Sequence, residues 1–128
     1  MSLDLSLEAD DALTIPTLGR ALEKAGASEV IIADGALEAI FISGLAVWTP
    51  GAITDSAIHA EDTKGMDLRV ALRCNIRIKG PEPEGHSSLD DLDKIAQSIA
   101  QMCSAHFLIS FQYEQTLYWR NAAGLHRG

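Results

Sequence analysis

Residues 66–79, Met-Asp-Leu-Arg-Val-Ala-Leu-Arg-Cys-Asn-Ile-Arg-Ile-Lys, alternate without a slip. One series is Met66, Leu68, Val70, Leu72, Cys74, Ile76 and Ile78; the other is Asp67, Arg69, Ala71, Arg73, Asn75, Arg77 and Lys79. Successive side chains of a strand point to opposite faces, so this stretch has an apolar face to bury and a cationic face to place against acids or water. The chain therefore contains a sheet. A straight strand of this length would reach about 46 Å, long for so small a protein, so a bend or bulge is expected within it.

Working toward the N-terminus, Leu3, Leu5 and Leu7 alternate with Asp4, Ser6 and Glu8 as a first strand over 3–8. Thr14 precedes Ile15-Pro16, where proline fits a first helical turn, and Ile15, Leu18, Leu22 and Ala25 keep helical spacing until Gly26. A helix over 15–25 follows. Residues 29–33 and 36–43 are apolar and β-branched and flank Asp34-Gly35, a dipeptide suited to a tight hairpin. Leu45 to Trp48 reads as a continuation of that strand past a glycine bulge, ended by Thr49-Pro50-Gly51. A long loop is then expected to reach Gly65.

Toward the C-terminus, Gly80-Pro81-Glu82-Pro83-Glu84-Gly85 breaks the long strand. Ser87 and Ser88 with Asp90 and Asp91 form overlapping N-cap signals, and Leu89, Leu92, Ile95, Ala96, Ile99, Met102 and Cys103 make one apolar stripe. The spacing predicts a second helix over 88–105. Strands are expected at 107–113 and 117–120, and the tail 121–128 has no periodic signal. The pattern thus predicts an α+β fold, a two-layer sandwich with a mostly antiparallel sheet of about five to six strands and both helices on one face. The order strand, helix, strand, strand occurs twice, consistent with a duplicated βαββ unit.

The 128 residues match one ordinary domain, 1–128, with 47% hydrophobic and 22% charged residues, a composition that excludes a disordered chain. No apolar run reaches the length of a membrane span, and the acidic, alternating start does not read as a signal peptide, so the expected compartment is the cytoplasm. Net charge is −8, which becomes −11 once the net +3 of residues 66–79 is set aside. Such a balance disfavours direct nucleic-acid binding and favours a basic protein partner. Among the cations, Arg69, Arg73, Arg77 and Lys79 share a strand face without interleaved aromatics, so pairing within the chain, with Glu29 or Glu38 among the candidates, is preferred over a nucleic-acid platform.

Catalytic chemistry has little to stand on. Cys74 and Cys103 lack metal-ligand spacing and any disulfide framework. Glu82, Glu84 and His86, and likewise His59, Glu61 and Asp62, fall in loops without rigid support, so no metal or other cofactor is expected. Cys103 and His106 are three apart, but Cys103 belongs to the apolar stripe and His106 suits a helix C-terminus. Asp10-Asp11 and Asp90-Asp91 precede or open helices, where capping explains them. No nucleophile elbow, phosphate-cradling loop or dinucleotide fingerprint is present.

Binding residues are better represented. Trp48, with Asp55, Glu61 and Asp62 of the long loop, gives an aromatic anchor with an acidic rim. Tyr118 and Trp119 are adjacent on a strand and must face opposite ways, so the exposed one of the two joins that surface. The sequence therefore points to a non-enzymatic binding protein, most concretely a small acidic inhibitor, such as an immunity protein neutralising a bacterial toxin or a phage protein blocking a host defence enzyme. Two other readings are a dimeric structural or regulatory subunit joined through a sheet face or edge strand, and a small enzyme or ligand binder with a pocket between sheet and helices. A monomer and a homodimer are both compatible with the pattern.

Overall fold

The structure, a computed structural model, describes residues 2–50, 53 and 55–128. Gly51, Ala52 and Thr54 of the expected long loop lie outside the described residues. In chain order the elements are β1 (Ser2–Ala9), α1 (Ile15–Ala25), β2 (Glu29–Ala33), β3 (Ala36–Ile40), β4 (Leu45–Trp48), β5 (Leu72–Lys79), α2 (Ser88–Met102), β6 (Phe107–Phe111), β7 (Gln115–Asn121) and β8 (Gly124–Arg127). The strands form one sheet in the order β2-β3-β4-β5-β1-β6-β7-β8, antiparallel at every junction.

The sheet thus has eight strands where the sequence pattern predicts five to six. One extra strand comes from 36–43, which does not run on into Leu45. The chain reverses there: Phe41 N–H donates to Leu45 O, Gly44 N–H donates to Phe41 O, and Gly44 takes φ 98°. A Cβ on Gly44 would stand 2.7 Å from Lys79 O, so both the conformation and the space require glycine. The other extra strand is β8, formed from the tail.

The long alternating stretch becomes strand only from Leu72. Its neighbours run out, since Ala9, the last residue of β1, lies opposite Leu72, and Trp48, the last of β4, lies opposite Asn75. Before that point the chain bends away, with Val70 N–H donating to Ser56 O and Ala71 N–H to Ala9 O. The second helix ends at Met102 rather than 105, as Cys103 turns to extended backbone. β6 is shorter than expected because Gln112 and Tyr113 adopt left-handed φ of 52° and 62°, and a register shift at Ile109/Ser110 lets β7 begin at Gln115.

Both helices start and stop by local chemistry. Thr14 Oγ1 accepts from Thr17 N–H at the start of α1 and Gly26, with φ 107°, ends it; Ser87 Oγ accepts from Asp90 N–H at the start of α2. α1 and α2 pack against each other and reach the sheet through β2, β3, β4 and β8. Their stripes, Leu18, Ala21, Leu22, Ala25 and Leu92, Ile95, Ala96, Ile99, join one core with Leu5, Leu7, Leu37, Val47, Cys74, Ile76, Phe107 and Ile109. Each buried Leu, Ile, Val or Phe among them contributes about 1.5–3 kcal/mol by leaving water, and the alanines less.

The element order is strand, helix and three strands, twice over. The positions are not repeated, however: β2 follows α1 to one edge and the chain returns inward to β4, whereas β6 follows α2 to the centre beside β1 and the chain proceeds outward to β8. A duplicated βαββ unit therefore does not describe the sheet.

Candidate functional site

The strand residues that point away from the core form the second face of the sheet, and the register sets them in rows. Ile31, Glu38, Trp48, Asn75, Ser6 and Ser110 stand side by side; so do Glu29, Ile40, Ala46, Arg77 and Asp4; a third row holds Arg73, Glu8, Leu108, Trp119 and His126. The third row is covered by the chain itself, and most of the first two is open.

The cover is the segment 55–70, held by a buried acid. Glu8 is 0% exposed, and its carboxylate accepts from His59 N–H at 2.8 Å, Ala60 N–H at 3.1 Å and the Arg73 guanidinium at 3.1 Å. Arg73, 10% exposed at its side chain, also donates to the carbonyls of Asp55 and Ala57. An ion pair withdrawn from water persists only when its remaining donors and acceptors are satisfied, and here the loop backbone satisfies them. Farther along, Thr116 Oγ donates to Asp62 O, Glu61 N–H to Tyr113 O, and Lys64 Nζ stands 4.7 Å from the Trp119 ring centre. Ser110 Oγ is the only buried side-chain oxygen or nitrogen without a partner among the described residues.

The open part centres on Trp48. A hollow of about 330 Å³ is lined by Asp4, Ser6, Asn75, Arg77, Gln112, Tyr113 and one side of Trp48. A second, of about 250 Å³, is lined by Glu29, Ile31, Glu38, Ile40, Ala46 and the Trp48 ring again. Arg77 stands 5.5 Å from that ring centre and donates to Asp4 Oδ1 at 2.8 Å. Ile31 and Ile40 remain 48% and 49% exposed, and neither Glu29 nor Glu38 takes part in an ion pair among the described residues. Tyr113 forms the wall toward the loop, edge-on to His59 at 5.7 Å.

The six residues singled out from the sequence do not converge on one patch. Trp48 lies in the groove. Asp55 is exposed, accepts from Ala57 N–H and pairs with His59 at 3.0 Å; the Ala57 amide first, then His59, hold its carboxyl below the ordinary range. Glu61 is exposed on the loop, and Asp62 pairs with Lys64 at 2.8 Å, the lysine hydrogen bond lowering its carboxyl. Tyr118 turns to the helix side, where burial first and then Asp93 push its phenol up. Trp119 lies on the second face but is sandwiched by Lys64 and by His126, whose ring stacks at 5.3 Å.

The expected partners of the cationic strand face are also corrected. Arg73 pairs with Glu8 and Arg77 with Asp4, not with Glu29 or Glu38, because the β1–β5 register places those residues directly opposite. Ile31, Ile40, Glu29 and Glu38 are the site residues that sequence reasoning missed as a group. Cys74 is fully buried, its thiol pushed up to about 12 by desolvation, and Cys103 Sγ donates to Ile99 O inside the helix end. No group of three or more His, Cys, Asp and Glu side chains among the described residues could hold a metal ion, and no helix of theirs is long and apolar enough to cross a membrane. No protein-family model matches the chain, and no curated protein or solved structure matches it either.

Proposed function

We propose that the chain is a non-enzymatic binding protein of inhibitor type, which captures a basic protein target on the open part of its second sheet face. The observation that carries this is the composition of the groove: Trp48, Ile31 and Ile40 give an apolar floor, while Glu29 and Glu38 stand around it without an ion pair among the described residues. Aromatic anchors surrounded by charged rims are how interfaces gain both affinity and fast, steered association. The overall charge of −8 supports the same choice of partner. The loop acids Asp55 and Asp62, by contrast, are engaged with His59 and Lys64.

The immobilised wild-type protein, exposed to extracts of its source cells, is expected to retain a basic protein that is released by a few hundred millimolar salt and not retained by Trp48→Ala. That protein's own activity, toxic or enzymatic, should fall when the wild-type chain is added. Retention that ignores both salt and Trp48→Ala would contradict the assignment.

A further inference from the structure

The two edges of the sheet are treated differently. At β8, Arg127 is tied to Asp93 of α2 at 2.6 Å, His126 is stacked on Trp119, and the strand is four residues long. Charges and short length are the usual protections of an exposed edge. At β2 the run Val30-Ile31-Ile32-Ala33 contains no charge, proline or glycine, and Ile31 and Ile32 are 48% and 46% exposed.

Among the described residues nothing outside the sheet hydrogen-bonds to the backbone of Val30 or Ile32. Leu37 N–H donates to Thr49 Oγ1 and Leu37 O accepts from Thr49 N–H, so Leu37 turns its backbone toward β4. By antiparallel alternation Ala36 and Glu38 turn theirs toward β2, where they face Ala33 and Ile31. The N–H and C=O groups of Val30 and Ile32 are then left on the outer side.

From this we infer that β2 pairs antiparallel with β2 of a second copy, about a two-fold axis through Ile31. In that register Val30 lies opposite the second copy's Ile32 and exchanges both hydrogen bonds with it, Ile31 faces itself, and Glu29 faces Ala33. No like charges are opposed, because Glu29 at each end of the seam meets Ala33 and Glu38 lies behind it on β3. The strand is its own complement, whereas a foreign strand would have to supply the same uncharged, β-branched run. An axis perpendicular to the sheet keeps both Trp48 grooves on one face, so the assembly presents two acidic grooves side by side.

Sedimentation equilibrium of the full chain is expected to give twice the protomer mass of 13.7 kDa. Ile31→Lys should give the single mass with unchanged circular dichroism, while His126→Lys on the other edge and Trp48→Ala should remain dimeric. Independently of how Ile31→Lys folds, Ile31→Cys in a Cys103→Ser background should cross-link under mild oxidation, because residues opposed in a non-hydrogen-bonded pair have Cα atoms about 4.5 Å apart. Ile42→Cys, more exposed still but outside the strand, should not. A wild-type chain that stays monomeric at high concentration, or a dimer that survives Ile31→Lys while Ile31→Cys fails to cross-link, overturns the inference.

Discussion

The second sheet face has two parts that share β1 and β5 and have opposite outcomes. Around Glu8 the chain lays its own loop over the sheet, and every oxygen of a fully buried carboxylate meets a donor. Around Trp48 no described segment crosses, and two half-exposed isoleucines, a partly exposed tryptophan and two glutamates without an ion pair among the described residues border the groove. The difference teaches that charge in this protein serves two ends. Glu8 and Arg73 fix the position of a backbone that has no regular hydrogen-bonding pattern of its own, whereas Glu29 and Glu38 hold no described segment in place.

The contrast breaks most severely at Glu8. Glu8→Ala leaves two loop amides without their acceptor and the Arg73 guanidinium without its counter-charge in a buried site, and should lower unfolding free energy by about 3–5 kcal/mol in a denaturant titration. Trp48→Ala, on the open part, should act on binding instead: about 2 kcal/mol or more of complex stability, read as faster dissociation, with a smaller loss in the denaturant midpoint than Glu8→Ala causes. Ser110→Ala sharpens the covered part from the other side. Removing a buried hydroxyl that has no partner should leave stability unchanged or raise it by up to about 1 kcal/mol, unlike the loss expected at Glu8.

The smallest effect is on pH. Asp55 and Asp62 have carboxyls lowered from 3.8 by their hydrogen bonds to Ala57 and His59 and to Lys64, so what they contribute to the loop is fully present above pH 3.8 and is lost as pH falls through their folded values. In a Trp48→Phe variant, Trp119 fluorescence should report the loop loosening below that pH, and Lys64→Ala should reduce the acid-side change. A flat response down to pH 2 would show that these pairs do not hold the loop.

Much of the fold is legible in the sequence because it is written locally. The α1 limits follow from Thr14, Pro16 and Gly26, and the β2–β3 hairpin from Asp34-Gly35 between apolar runs. The β3–β4 reversal is not, since Phe41-Ile42-Ser43 reads as strand and the turn depends on Gly44 meeting the distant Lys79 carbonyl. β8 is too short for a period to show. The ion pairs were within reach: Asp4 and Glu8 are four apart, as are Arg73 and Arg77, and an antiparallel register brings both pairs together at once. Trp48 could be singled out by type alone, but Ile31, Ile40, Glu29 and Glu38 become a site only because the loop covers the neighbouring part of the face and leaves theirs open, a tertiary fact with no local signal.

The two tryptophans make the central claim directly measurable, since both lie on the second face, one in the open groove and one under Lys64 and His126. Hydroxyl-radical footprinting of the free protein and of its complex with the captured basic partner compares their oxidation in a single sample. Trp48 should lose most of its oxidation on binding, together with Ile31 and Ile40, while Trp119 should be unchanged. Protection of Trp119 and of residues 55–62 with Trp48 still oxidised at its free rate would contradict the account and move the partner surface onto the loop.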